Sequence, residues 1–148
     1  MPISLSPQMM RQIIMDHYDN PLFKHEPKDD SYESFHSHSD NCIDDIMVYA
    51  KIENDVVVDV CWTGVACTIS TASTDIMCGL MMGKKAAEAH YIYDQYIKMI
   101  HEEEFDESVL DEAIVFVNTS KQAARIRCAT IGWDALKDLL EEEHKHGK

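Results

Sequence analysis

Apolar and polar positions divide the chain into one helical stretch, one stretch of strict alternation and a longer run of helices. Ser6-Pro7 predicts a helix start: the hydroxyl can cap free amides, and proline at the first helical position loses no hydrogen bond. Met10, Ile13, Ile14 and Tyr18 follow at helical spacing, and Asp19-Asn20-Pro21 ends the element. Residues 22–41 are polar and rich in Asp, Ser and His, and read as a long loop with a weak edge strand at 32–37. The period then becomes two. Ile46, Val48, Ala50 and Ile52 share one face, with Met47, Tyr49 and Lys51 on the other. After a turn at Glu53-Asn54-Asp55, Val56, Val58, Val60 and Trp62 are expected to form the apolar face of a second strand, against Val57, Asp59 and Cys61. Two strands do not stand alone, so a third strand or a helical cover is required.

From Thr68 the period returns to that of a helix. Ile69, Ala72, Ile76 and Leu80 line one face, and Gly79 and Gly83 loosen or end it. A second helix is expected over 84–103, with Ala89, Tyr93, Tyr96 and Ile100 as its stripe. A short third carries Val109, Leu110, Ala113, Ile114 and Val117. A last one, capped by Ser120, continues through Ile126, Ala129, Trp133, Leu136 and Leu140. Strands clustered between helices predict an α+β fold: a small antiparallel meander of about three strands with helices packed on one face. A length of 148 residues and an apolar content of 45% fit one domain over 1–148. Residues 141–148 read as a flexible polar tail.

Charge narrows the function classes. A net charge of -14, with 13 basic residues scattered among 27 acids, argues against nucleic acid, which needs clustered cations. No apolar run is long enough for a membrane span. The start, MPISLSPQMMRQ, has no basic segment followed by an apolar one. Five cysteines, an odd and unevenly spaced set, do not suit a secreted disulfide framework. These readings together point to a cytoplasmic protein.

The chemistry rests on Cys42, Asp44, Cys67 and Cys128. Cys42 and Asp44 stand two apart at the start of a strand, so both side chains point the same way. Cys67 precedes a predicted helix, whose free N–H groups favour thiolate. Cys128 follows Arg125 and Arg127, whose guanidiniums could favour thiolate and hold an anionic sulfur. Each position has a bland alternative: a loop thiol, a small residue in a tight joint, a core cysteine. Converging, the four supply three soft thiolates and one hard carboxylate, enough for a tetrahedral metal site. Cys61 and Cys78 read as packing residues. His36 and His38 read first as members of a solvated loop, with a substitute-ligand role as the other reading.

The stretches RQIIMDHYDNP (11–21), NCIDD (41–45), GVACTISTAS (64–73) and RIRCATIGWDAL (125–136) together resemble the IscU/NifU-like iron–sulfur cluster assembly family, most closely its SufU branch. The long interval between Cys67 and Cys128, and Arg127 where IscU has a histidine, are SufU-like features. The resemblance implies a SufE/NifU-like three-stranded sheet with helices. It implies a zinc ion held at Cys42, Asp44, Cys67 and Cys128, with iron or a transient [2Fe–2S] cluster as the other occupant. It implies persulfide sulfur accepted at Cys42 from a cysteine desulfurase of the SufS/NifS type, with Arg125 near the incoming sulfur anion, and transfer to downstream cluster-assembly proteins. Two departures stand out. Ile43 occupies a place where the family usually has glycine, so either the backbone differs or the glycine is not in a glycine-only conformation. The residues before Cys42 are His-Ser-Asp-Asn rather than a turn containing Asn-Pro. A zinc-dependent sulfur relay is therefore the leading reading. A scaffold for [2Fe–2S] assembly and a zinc-structured adaptor that regulates the desulfurase are the alternatives.

Overall fold

Asn54 and Asp55 both have positive φ (52° and 62°), which closes a two-residue turn between antiparallel strands. That hairpin is the centre of the fold. The computed structural model describes residues 5–38 and 43–147, with side chains through 142 except that of Ser120. The strands are β1 (Glu33–His38), β2 (Asp45–Glu53) and β3 (Val56–Val65), in the antiparallel order β1-β2-β3. Helix α1 (Pro7–Asp19) precedes them, and α2 (Thr68–Met81), α3 (Ala86–Ile100) and α4 (Ala123–Gly147) follow. The α2 helix lies against β3 and α4 against β1 and β2, with α1 outside α2 and α3 outside α4. The weak edge strand expected at 32–37 is β1, which pairs Phe35 with Val48. Ser6 caps α1 as expected, its Oγ accepting from Met9 N–H at 3.1 Å.

Four local expectations are corrected. Trp62 and Val60 do face the core, but Val56 and Val58 do not: Val57 is buried and Val58 is exposed. Lys51 pairs with Asp59 and Ile52 with Val57, leaving Val58 as an extra residue that reverses the alternation. The second helix starts at Ala86, after Glu88 accepts from Lys85 N–H, and ends at Ile100, because Glu102 takes a φ of 62°. The short third helix is a series of 3-10 turns, Glu107–Val109, Asp111–Phe116 and Thr119–Lys121. Ser120 lies inside the last of these turns and does not cap α4, which begins at Ala123.

The core is aromatic with a polar knot. Tyr96 stacks on Trp133 at 3.7 Å between ring centroids and meets Phe116 edge-on. The Tyr96 and Ser73 hydroxyls both donate to the Ala129 carbonyl, at 2.7 and 2.6 Å, and Trp133 Nε1 donates to Ser73 Oγ. These bonds set how α2 crosses α4. At the crossing Gly132 faces Thr74: a Cβ there would lie 2.3 Å from Thr74 Oγ1 and 2.9 Å from its Cβ. Gly132→Ala should therefore lower stability by about 1–3 kcal/mol, the usual range for overpacking, although alanine is the better helix former. A urea unfolding curve reads the effect, and an unchanged or raised midpoint would contradict it.

Helix α2 also buries a carboxylate. Asp75 is fully buried and accepts from His17 Nδ1 (2.8 Å), Leu22 N–H (2.9 Å), Phe23 N–H (2.8 Å) and Trp62 Nε1 (3.2 Å). The other ring nitrogen of His17 meets Glu112 at 2.8 Å. The bond to Asp75 raises the His17 pKa above 6.5, burial opposes it, and Glu112 adds to the rise. A group with a raised folded pKa stabilises most below its unfolded value and loses that contribution as pH rises through the folded one. The stability advantage of wild type over His17→Gln should thus be largest below pH 6.5 and shrink on going to alkaline pH. Denaturant unfolding across that range checks the sign. A difference that grows with pH would contradict it.

Candidate metal centre

The close approach of β2 and β3 at their open end builds the site. Gly64 has a φ of +124°, and a Cβ there would sit 2.2 Å from the Asp45 carbonyl oxygen, so only glycine lets the two strands come this near. Asp44, buried just before β2, is thereby held over the start of α2. Its Oδ1 accepts from Cys67 N–H at 2.8 Å, and its Oδ2 accepts from the Ser70 hydroxyl. Cys67 is the residue that caps α2, its Sγ receiving Ser70 N–H at 3.5 Å. The predicted helix start at Thr68 is therefore correct, and the thiol lies at the helix end where amides are free.

Cys128 reaches the same point from α4 and is buried. Donor atoms of Asp44, Cys67 and Cys128 all lie within 4.8 Å of one another. Burial, then the adjoining Cys67 and the charge of Asp44, push the Cys128 thiol up to about 12, against an opposing bond with Ser70. Arg125 and Arg127 are thus not what sets this thiol. Arg127 is exposed and pairs with Asp134 at 3.4 Å. Arg125 is exposed on the first turn of α4, beside a cleft it lines with Ile69, Met10 and Arg11. Cys42 lies outside the described residues. Ile43 is described and exposes 64% of its surface. Val65, on the other side of the opening, is 61% exposed.

Cys61 and Cys78 are fully buried, and burial pushes the Cys61 thiol up to about 11 and that of Cys78 well above its ordinary value. Both pack, as expected. His36 bonds Asp45, not Asp44, at 2.5 Å. Ser70 is the site residue that sequence reasoning missed. Its one signal is its place three residues after the capping Cys67, where a backbone N–H faces the cap.

Residues 9–141 match the family described as the NifU-like N terminal domain. The chain belongs to that family. Among similar proteins, the zinc-dependent sulfurtransferase SufU of Bacillus subtilis (strain 168) is 34% identical over 137 residues, covering 91% of this chain and 92% of that one. The iron–sulfur cluster assembly scaffold protein IscU of Streptococcus pyogenes serotype M1 is 30% identical over 142 residues, covering 95% and 88%. A crystal structure of a candidate cluster assembly scaffold for the SUF system from Fervidobacterium islandicum AW-1 superposes with a TM-score of 0.80 at 29% identity, covering 87% and 94%. The N-terminal part of a NifU-like protein from Brucella abortus, at 20% identity and a TM-score of 0.82, shares the fold. These matches place this NifU-like domain in the SufU-type branch. Among its described residues, no helix is long and apolar enough to cross a membrane.

The donors of this NifU-like domain fit a borderline-soft cation. Two sulfurs and a carboxylate converge from three elements, and the closeness of Cys67 and Asp44 disfavours a bare thiolate at Cys128. A divalent cation removes that repulsion. Donor atoms around tetrahedral zinc stand about 3–4 Å apart, and the three donors here already lie within 4.8 Å of one another.

Proposed function

We propose that the protein is a sulfur relay in iron–sulfur cluster assembly. It takes persulfide sulfur from a cysteine desulfurase of the SufS/NifS type and passes it to downstream cluster-assembly proteins in the cytoplasm. Zinc held by Cys42, Asp44, Cys67 and Cys128 would keep the thiolates ionised at neutral pH without redox chemistry of its own. The observation that carries the reading is the convergence of Asp44, Cys67 and Cys128 around one point. The name of the Bacillus subtilis relative, a zinc-dependent sulfurtransferase, supports the relay.

The residues divide the work simply. The Cys42 thiolate, once docking of the desulfurase releases it from the ligand set, would attack the terminal sulfur of the partner's persulfide. A new S–S bond forms at Cys42, the partner's S–S bond breaks, and the electron pair leaves on the partner's cysteine as thiolate. No net oxidation occurs. Asp44 stays in place through its bonds to Cys67 N–H and Ser70. Arg125 is assigned to the incoming sulfur anion. Exposed Ile43 and Val65 at the opening suit a docked protein surface.

Cys42→Ala should lose both sulfur acceptance and stimulation of desulfurase turnover while still binding the enzyme. Labelled-sulfur transfer and a pull-down measure the two separately. Acceptance as fast as wild type would remove Cys42 from the role. Full stimulation by Cys42→Ala would favour an adaptor that acts by docking. The scaffold reading is supported by the relatives named as IscU scaffolds. A visible cluster spectrum after anaerobic reconstitution, with no labelled sulfur on Cys42, would favour it.

A further inference from the structure

We propose that His36, His38 and Asp45 form a second divalent-metal site, on the outer face of the sheet, for a borderline transition cation such as Ni²⁺ or Zn²⁺. In β1, Phe35 and Ser37 turn toward the core, so His36 and His38 share the opposite face. Their ring centroids are 5.6 Å apart. Asp45 is the strand partner of His38 in the β1–β2 register, and its Oδ1 lies 2.5 Å from His36 Nε2. The carboxylate thus stands across from one imidazole and bonded to the other. Adjacent residues in a strand point to opposite sides, so buried Asp44 serves the thiol centre while exposed Asp45 serves this one, with no shared ligand.

The donor set is two imidazoles and one carboxylate with the remaining positions open to water. Such a triad suits Fe, Ni, Cu and Zn rather than Ca²⁺ or Mg²⁺, which prefer oxygen. Among the described residues only the thiol centre already has three donor atoms within 4.8 Å. Here side-chain rotation completes the site. The cation replaces the proton between His36 and Asp45, and His38 turns in from the same face. His36, His38 and Asp45 are all exposed on this face, so the site is open to a cation from solvent. The net charge of -14 raises the local concentration of divalent cations.

The test is a calorimetric titration with Ni²⁺ of protein carrying one zinc per chain and no excess zinc, in a His144→Gln, His146→Gln background that silences the tail. One further Ni²⁺ should bind, with zinc content unchanged. His36→Gln and His38→Gln should each weaken that binding by about tenfold or more, since even indirect ligand changes have effects of that size. In wild type, Ni²⁺ should broaden the ring protons of His36 and His38 before those of other histidines. No additional Ni²⁺, or an affinity unchanged in either variant, overturns the site. Should a variant fold poorly, the wild-type broadening decides: first at His36 and His38 supports the site, first elsewhere overturns it.

Discussion

Asp75→Ala should remove at least about 4 kcal/mol of stability, a large part of the ordinary 5–15 kcal/mol for a domain. The residue does not touch the metal centre. It gathers four donors from three places: His17 on α1, the Leu22 and Phe23 amides after α1, and the Trp62 indole on β3. Alanine leaves two part-buried backbone N–H groups and a buried indole N–H without their acceptor, each costing about 1–3 kcal/mol when unsatisfied. It also leaves His17 with Glu112 alone. The segment after α1 depends on this carboxylate, since Phe23 carbonyl in turn accepts from Trp62 N–H at 3.0 Å. The lost stability should appear as a lower urea midpoint at unchanged slope. A loss below about 1 kcal/mol would mean that water takes the place of the carboxylate.

Cys128→Ala should abolish tight zinc retention, taking elemental content from about one per chain to a small fraction. The reason is topological. Asp44 precedes β2, Cys67 caps α2 and Cys128 stands on α4, so a cation bound there ties the sheet to two helices. Binding to the folded state alone adds about 4 kcal/mol when free zinc exceeds its Kd a thousandfold. For a domain of this size that is roughly 10 °C in Tm. Chelation under reducing conditions should therefore lower the Tm of wild type by that order and leave Cys128→Ala unmoved. Equal chelator sensitivity in both would show that the zinc is held elsewhere.

Much of this was readable along the chain because it depends on near neighbours. The Ser6 cap, the alternation of β2, the helix start after Cys67 and the candidacy of Asp44, Cys67 and Cys128 as cation donors follow from residue type and spacing. The phase of β3 does not. Val58 has the same character as Val57 and Val60, and only the count of partners across the hairpin makes it the extra residue. Asp75 carries no local mark either, and Ser70 only its place three residues after Cys67. A serine in a first turn and an aspartate in a helix ordinarily face water, and here donors and acceptors from distant segments bury them.

The sequence by itself determined the order of elements, the antiparallel hairpin and which side chains could hold a cation. Only the tertiary structure decided which polar groups leave water, which strand residues point inward, and that Asp44 is buried while adjacent Asp45 is exposed. The physical reason is that periodicity depends on near neighbours, whereas burial, strand register and the cost of an unpaired charge depend on what the rest of the chain brings alongside.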